Sequence, residues 1–437
     1  MSRIKDLIVK VKEYTGQLWE KGAFHIMAGN FATKFVTFFG SVFLSRALSK
    51  EDLGILTYME NLCSYAYIFV GVGMANAILR YNVLSKAPEE KKAFLAFALK
   101  RGIFFDILLI FIVVAVNAIY PHKEDFIVAK SLIPILIMAL PLQDVIGQIQ
   151  MNERAMFNNK RYAIFSVTSA AFIIVARVSG AKICGLKGVV IGIVIINVII
   201  AIFFVASSYK KYFEGVKTRC VSKEIKKESS LYGLQYMITN GLWGIFMLMD
   251  IFLLGNLLGD ATIVADYKIA YSFPVNMSIF SGAIGVFVAP YFIKNEKNEE
   301  WIRTNYIKTM IVTIGIMGCV AVGLFVLARP LIWLYGEKYY NVIPLMRVLI
   351  ISCFIDTVFR STTANILSAI GKIKHNMIIS GCGFILQVCL NFFMIPMFGA
   401  YGVAYTSIIV QVIMSISVFA VFNKMYGIVS FVKNRMG

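Results

Sequence analysis

The chain is poor in charge, in histidine and in cysteine. Charged residues occupy 15% of its 437 positions, whereas soluble globular proteins average about 25%. The three histidines lie at the ends of apolar runs or between them, and the seven cysteines include no CxxC pair. Neither a metal site nor a disulfide framework is therefore predicted. No Walker A sequence or dinucleotide fingerprint occurs, which argues against a built-in ATPase, and no cofactor is expected.

Apolar residues dominate instead, and they run from one end of the chain to the other. Hydrophobic residues make up 59% of the sequence, and many apolar runs reach the roughly 20 residues that a helix needs to cross a bilayer. The pattern predicts an all-α integral membrane protein with twelve transmembrane helices. The predicted spans are residues 24–48, 53–84, 102–120, 131–151, 162–180, 186–207, 231–258, 263–293, 304–328, 341–370, 377–398 and 401–422.

The basic residues predict the orientation of these spans. Most of the 43 Lys and Arg residues fall in segments on one side of the predicted spans, which places that side and both termini in the cytoplasm. The net charge of +19 then reflects contact with anionic lipid head groups, and nucleic acid is not an expected partner. The first 22 residues are charged throughout and predict an interfacial amphipathic helix on the cytoplasmic leaflet, with no cleavable signal peptide.

The two halves of the sequence resemble each other. Ile133-Pro134 recurs as Ile343-Pro344, and the glycines of Gly185-Leu-Lys-Gly188 recur in Gly399-Ala-Tyr-Gly402. Six spans in each half would make the halves parallel repeats, related by a pseudo-two-fold axis along the membrane normal. The predicted organisation is an interfacial helix at 1–22, an N-lobe at 23–207, a basic cytoplasmic linker at 208–230, a C-lobe at 231–423 and a cytoplasmic tail at 424–437.

Charged side chains inside the spans are the candidate functional residues, because burying a charge in a membrane costs several kcal/mol on insertion scales. The cations suit an anionic substrate such as a phosphate or pyrophosphate, and the carboxylates suit proton or cation coupling or simply neutralise the arginines. A helix-end anchor is the alternative for Arg46, and a structural salt bridge is the alternative for Asp356 and Arg360. The substrate-binding candidates are Lys34, Arg46, Arg177, Lys268, Arg347 and Arg360, and the ion-coupling candidates are Glu60, Asp144, Asp250 and Asp356.

Three segments carry a family resemblance. They are Phe43-Leu-Ser-Arg46-Ala-Leu-Ser-Lys-Glu-Asp52-Leu-Gly54, Gly71-Val-Gly-Met-Ala-Asn-Ala-Ile-Leu-Arg80, and Ala265-Asp-Tyr-Lys-Ile-Ala-Tyr-Ser-Phe-Pro274 with the later Gly285 and Pro290. With the span count and the two-half plan, the sequence resembles bacterial Wzx-type flippases of O-antigen and polysaccharide repeat units. These flippases belong to the MOP superfamily of multidrug, lipid-linked oligosaccharide and polysaccharide exporters.

The resemblance implies two six-helix lobes in a V around a central cavity. It implies an undecaprenyl-pyrophosphate-linked oligosaccharide as substrate, moved from the cytoplasmic to the periplasmic leaflet of the bacterial inner membrane. Alternating access would be driven by a proton or sodium gradient. Lys34, Arg177, Arg347 and Arg360 would hold the pyrophosphate or acidic sugars, and the four carboxylates would couple the ion. A polysaccharide polymerase and the chain-length machinery are implied partners.

Three other functions are alternatives to this hypothesis. A MATE-type multidrug exporter should have fewer intramembrane cations. A lipid II flippase should have fourteen spans and an arginine midway along the second span, where this chain has Ser64 and Tyr65. A membrane glycosyltransferase or polymerase should carry catalytic groups on a sizeable extramembrane loop, and the sequence predicts none.

Overall fold

A computed structural model describes residues 23–217 and 219–436. All regular structure in these ranges is helical. The helices cluster into two compact units, one ending at Leu248 and the other beginning at Met249. The predicted interfacial helix at 1–22 lies outside the described residues, and the predicted lobe boundaries stay predictions.

Among the described residues, the first helix of the first unit has 25 residues and the longest helix of that unit has 54. Side-chain caps fix several helix starts: the Ser49 hydroxyl accepts from the Asp52 N–H, and Asn158 accepts from the Arg161 N–H. The elements are α1 (Ala23–Ala47), α2 (Lys50–Tyr67), a 3₁₀ turn (Val70–Gly73), α3 (Met74–Leu84), α4 (Pro88–Ile119), a 3₁₀ turn (Glu124–Phe126), α5 (Ile127–Leu136), α6 (Ala139–Ala155), α7 (Asn159–Tyr212) and α8 (Lys223–Leu258), within which the unit ends.

The second unit repeats the use of polar caps and interrupted helices. The Asp260 carboxylate accepts from the N–H groups of Thr262 and Ile263 at the start of its first complete helix. Its elements are α9 (Ala261–Tyr271), a 3₁₀ turn (Pro274–Asn276), α10 (Met277–Lys294), α11 (Glu299–Val326), α12 (Ala328–Tyr335), a 3₁₀ turn (Glu337–Val342), α13 (Ile343–Ile355), a π-helical turn (Asp356–Ser361), α14 (Thr362–Ala369), α15 (Ile373–Phe398), α16 (Ala400–Tyr426) and α17 (Ile428–Met436).

Helix α7 is a hairpin of two helices. Its 54 residues would extend about 80 Å if straight, far more than a ~30 Å hydrocarbon core. The backbone leaves helical geometry at Cys184 and Gly185, where φ reaches −136° and 58°. A Cβ placed on Gly180 would strike the Gly188 carbonyl, and one on Gly192 would meet the Ala176 carbonyl. Because these contacts pair residues on either side of the break, the two halves pack antiparallel.

Three of the longest predicted spans are interrupted near their middles. The span at 53–84 is broken by the Val70–Gly73 turn, in which Gly71, Val72 and Gly73 all have positive φ. The span at 263–293 is broken at Pro274–Asn276, where proline supplies no backbone N–H. The span at 341–370 contains the π-helical turn. Breaks of this kind in membrane helices expose backbone groups to side chains and line functional sites.

Fewer than the predicted twelve helices in the described residues are long and apolar enough to cross a membrane. Within the described residues, nine helices are long and apolar enough to cross a membrane, or ten if α5 and α6, which meet at a 47° bend, count as one. The predicted spans at 162–180 and 186–207 both fall within the hairpin α7, which this count treats as one helix. The count of twelve is therefore not confirmed and stays a prediction.

Each unit has an aromatic core and an apolar exterior. Phe165 stacks on Phe204 at 3.8 Å in the first unit, and Tyr306 stacks on Phe422 at 4.2 Å in the second. Large apolar side chains such as Val286 are largely exposed, at 78% of the maximum. Exposing so many apolar groups to water would be unfavourable in free energy, whereas lipid solvates them.

Candidate intramembrane charge sites

Two aspartates meet inside the first unit. Asp106 on α4 and Asp144 on α6 are 0% and 5% exposed. Asp106 Oδ1 accepts from the Gly71 N–H at 2.8 Å, and Asp144 Oδ2 accepts from Gln148 Nε2 at 2.6 Å. The two carboxyl groups lie beside each other at Gly71, because the Gly71 N–H donates to Asp106 while a Cβ on the same glycine would strike both oxygens of Asp144. The predicted ion-coupling residue Asp144 therefore has a second carboxyl group as its neighbour.

Two glycines make room for this carboxyl pair. A Cβ on Gly71 would run into both oxygens of Asp144, and one on Gly102 would run into Asp144 Oδ2 and Gln148 Nε2. Gly71 also has a φ of 54°, which L side chains rarely adopt. A cavity of about 220 Å³ adjoins the pair and is lined by Asp144 together with Gly73, Asn76 and Tyr236. Such a space can hold several waters.

The same unit holds a second charged cluster. Glu60 on α2 and Arg177 on the first half of α7 form an ion pair, with side chains 28% and 24% exposed. The sequence predicts different roles for these two residues, ion coupling for Glu60 and substrate binding for Arg177. The structure brings them together, so each compensates the charge of the other.

In the second unit, Asp250 is the acceptor for three neutral donors. Its Oδ1 accepts from Gln387 Nε2 at 3.0 Å and Asn391 Nδ2 at 3.1 Å, both on α15. Its Oδ2 accepts from the Tyr267 hydroxyl at 3.1 Å, on α9. Hydrogen bonds from neutral donors stabilise a carboxylate in an apolar setting without cancelling its charge.

Asp356 and Arg360 form the ion pair expected from their i, i+4 spacing. Both lie on the π-helical turn. The Ser361 hydroxyl joins them: it accepts from Arg360 Nη2 at 3.3 Å and donates to Asp356 Oδ2 at 3.4 Å. Ile355 and Phe359 directly precede Asp356 and Arg360 in the sequence. They line an apolar groove of about 570 Å³.

The remaining predicted cations are divided between the two units. Lys34 is exposed on α1, and Arg46 is exposed in the last turn of that helix. Lys268 is half-buried in the last turn of α9. Arg347 on α13 places its guanidinium over the Phe325 ring at 4.7 Å, a cation–π arrangement. The substrate-binding roles of these four residues stay predictions.

Asp106, Gln387 and Asn391 are not among the candidates predicted from the sequence. In the predicted span at 102–120, Asp106 is close to the first residue. Helix α4 in fact begins at Pro88, with Glu89 and Glu90 in its first turn, so Asp106 is near its middle. Pro followed by two acidic residues is a recognised helix start and could have revealed this. No comparable sequence pattern marks the amide side chains of Gln387 and Asn391.

The fold is that of MOP-superfamily transporters. A multidrug MATE-family transporter of that superfamily, in an inward-facing conformation, matches with a TM-score of 0.65 at 16% identity, over 92% of this chain and 96% of the other. The lipid II flippase MurJ in an inward closed conformation matches with a TM-score of 0.66 at 17% identity, over 91% and 87%. At these identities the likeness shows the fold alone. The chain is an all-helical multi-pass membrane protein with this fold.

The sequence matches then give the family. The polysaccharide biosynthesis protein family matches residues 19–296, more than half of the chain, and the chain belongs to that family. A Shigella flexneri protein described as an O-antigen transporter is 25% identical over 381 residues, covering 83% of this chain and 87% of the relative. The predicted resemblance to polysaccharide repeat-unit flippases is confirmed.

Proposed function

We propose that the protein flips undecaprenyl-pyrophosphate-linked oligosaccharide repeat units from the cytoplasmic to the periplasmic leaflet of a bacterial inner membrane. Both termini would be cytoplasmic, and the product would feed O-antigen, capsule or exopolysaccharide synthesis. The observation that carries the proposal is family membership over residues 19–296 in a chain with a transporter fold. The relative described as an O-antigen transporter supports the same substrate class.

The Asp356–Arg360 turn supports a lipid-linked anion as the substrate. A lipid pyrophosphate needs a cation for its head group and an apolar surface for its chain. Arg360 supplies a guanidinium, which binds phosphate in a two-pronged geometry. The adjacent groove lined by Ile355 and Phe359 is almost entirely apolar. In this proposal the substrate phosphate competes with Asp356 for Arg360, and Lys34, Arg46, Arg177, Lys268 and Arg347 remain candidate contacts for the rest of the head group.

Coupling to a proton or sodium gradient is part of the proposal. The carboxylates of Glu60, Asp144, Asp250 and Asp356 all lie within predicted spans and are held by hydrogen bonds or ion pairs. Intramembrane carboxylates usually mark ion pathways. Binding and release of the ion would then alternate the access of the substrate site. The polysaccharide polymerase and chain-length machinery are the partners that would receive the flipped unit.

Fold likeness does not choose between the related activities. The multidrug transporter and the lipid II flippase match almost equally well, with TM-scores of 0.65 and 0.66. The family match favours polysaccharide precursors. Multidrug export and lipid II flipping are therefore the alternatives against which the proposal is tested.

Deleting the gene tests the function directly. Lipid-linked repeat units should accumulate in the cytoplasmic leaflet and surface polysaccharide should fall, and a plasmid copy should reverse both effects. The measurements are extraction of lipid-linked sugars and staining of surface polysaccharide. Unchanged levels of both, in a strain lacking any second flippase, would contradict the proposal. Unchanged polysaccharide with increased drug sensitivity would favour the multidrug alternative.

Substitution of Arg360 tests the site. Arg360→Ala should abolish flipping, but it also strands the Asp356 carboxylate. The double variant Asp356→Asn with Arg360→Ala removes that stranded charge and should still fail if Arg360 binds the substrate. Recovery of transport in the double variant would limit the pair to a structural role. Lys372→Ala, at an exposed cation outside the helices, is the control and should flip normally.

A further inference from the structure

The Asp106–Asp144 pair has one unsatisfied oxygen. Asp106 Oδ1 accepts from Gly71, whereas Asp106 Oδ2 is buried and receives no N–H or O–H donor from the described residues. Gln148 Oε1, on the side chain that donates to Asp144, is likewise buried without a partner there. A bare oxygen of a buried carboxylate beside a second carboxylate is unfavourable unless a proton is shared between them.

Among the residues that the structure describes, no Lys or Arg forms an ion pair with Asp106 or Asp144. Arg101 on α4 lies over the Phe105 ring at 5.1 Å, and Arg80 on α3 lies over the Tyr232 ring at 5.2 Å. The titratable groups that face the pair are Tyr67, at the end of α2, and Tyr236 of α8, which lines the adjoining cavity. On α6, Glu153 is bound by Ser208 and Tyr212 from α7, and Arg154 lies over the Tyr162 ring of α7. Among the described residues, two carboxyl groups thus face each other with only neutral donors around them.

The pair also holds a strained piece of backbone. The Gly71 N–H that binds Asp106 belongs to the Val70–Gly73 turn, where Val72 has a φ of 47°. A β-branched residue in that region is a rare outlier that surrounding contacts must maintain. On its other side, the turn packs against α8, where Gly73 and Gly233 leave no room for a Cβ. The carboxyl pair and α8 therefore hold the turn from two sides.

We propose that Asp106 and Asp144 bind one proton between them, and that its release opens the Val70–Gly73 turn. When the proton leaves for water in the adjoining cavity, two carboxylates remain side by side in an apolar environment. Their repulsion separates α4 from α6 and frees the Gly71 N–H. Rebinding restores the pair. The link to transport rests on the proposed flippase function, whereas the proton site does not.

Infrared titration of the full-length purified protein, without substrate, tests the proton site. The probe is pH alone, and the signal is the C=O stretch of a protonated carboxyl group. The wild type should show one such group that loses its proton as pH rises, and the double variant Asp106→Asn with Asp144→Asn should lack it. Glu124→Gln, at an exposed carboxylate, should retain it. Absence of the signal in the wild type, or its persistence in the double variant, would overturn the proposal.

Two glycine substitutions keep the test decisive if the double variant does not fold. Gly102→Ala places a Cβ against Asp144 and Gln148, while Gly147→Ala on α6 places one where nothing lies within 4 Å. Gly102→Ala should move the titration midpoint by about one pH unit or more, a tenfold change in proton affinity, and Gly147→Ala should not. Equal midpoints would contradict the shared proton. Proton release at constant pH only after adding Na⁺ would instead assign the site to sodium.

These outcomes are separate from those of the flippase tests. A normal titration in a protein that flips no repeat unit would keep the proton site and reject the function. A protein that flips repeat units normally but lacks the titrating group would keep the function and reject the proton site.

Discussion

Gly185 and Gly399 adopt the same unusual backbone conformation, with φ, ψ of 58°, −140° and 59°, −134°. Each is the turn between two antiparallel helices of its own unit. The next glycine of each motif, Gly188 or Gly402, packs against a carbonyl of the helix before the turn, that of Gly180 or of Met394. The two halves of the chain therefore share a local structure as well as a sequence motif, as expected for duplicated units.

Alanine at these turns should destabilise the protein through the backbone. Gly185→Ala and Gly399→Ala meet no atom within 4 Å, so any loss comes from the backbone conformation, which costs a residue with a Cβ about 1–3 kcal/mol. Gly402→Ala, at a helical position without a positive φ, should be destabilising for a different reason, because its Cβ strikes the Met394 carbonyl. Thermal unfolding in detergent measures the effect. Gly315→Ala, in open space within α11, should be neutral or slightly stabilising, and equal losses at all positions would contradict the argument.

The Glu60–Arg177 pair should show energetic coupling. Glu60→Gln or Arg177→Gln alone leaves one charge without its partner in a partly buried site, whereas the double variant removes both charges. The double variant should therefore be more stable than the sum of the single losses predicts, by about 1–3 kcal/mol. The measurement is a double-mutant cycle of unfolding free energies.

The same cycle distinguishes the proposed role of Arg177. If the double variant regains stability but does not flip repeat units, the pair acts in transport itself, through Arg177 at the substrate site or Glu60 in ion coupling. If both recover, the pair is structural. Additive losses would show that the two side chains do not interact.

The loop residue His122 should make stability pH-dependent. Burial, followed by the nearby charge of Lys130, lowers the pKa of His122 below its usual 6.5. Its Nε2 is bonded to Asn117 Oδ1 at 2.9 Å, and its buried Nδ1 has no partner among the described residues, so an added proton would find no acceptor. The unfolded chain therefore binds the proton more tightly.

Stability should consequently fall as pH drops below about 6.5 toward the lower folded pKa, and should be unaffected above it. His122→Gln stays neutral and should flatten that part of the profile. The measurement is thermal unfolding of both proteins between about pH 5 and 8. Parallel profiles would show that His122 does not contribute.

Local patterns predicted the features that depend on neighbours in sequence. The Asp356–Arg360 pair follows from i, i+4 spacing, and the hairpin turns at Gly185 and Gly399 follow from a repeated motif. Contacts between distant helices, such as Glu60 with Arg177, could not be predicted in this way. They depend on how each helix is rotated about its axis, and a span that is apolar on all sides gives no periodic signal of that rotation.

The three donors around Asp250 predict different outcomes for two substitutions. Asp250→Leu leaves the donors of Gln387, Asn391 and Tyr267 without an acceptor and should cost at least about 2 kcal/mol of unfolding free energy. Asp250→Asn keeps an acceptor oxygen. Gln387 Oε1 and Asn391 Oδ1 are buried without partners among the described residues, so either amide can turn to accept from the new NH₂ group. This variant should fold normally while losing the charge.

Transport then reports on the charge alone. If Asp250 couples an ion, Asp250→Asn should flip repeat units poorly despite normal abundance and thermal stability, and lowering the pH or raising sodium should not rescue it. Tyr267→Phe keeps the charge and removes only one donor, so it should retain most of the transport. Normal flipping by Asp250→Asn would exclude Asp250 from ion coupling. Equal loss in both variants would point to a structural role for the cluster, because its hydrogen bonds rather than its charge would then be what transport requires.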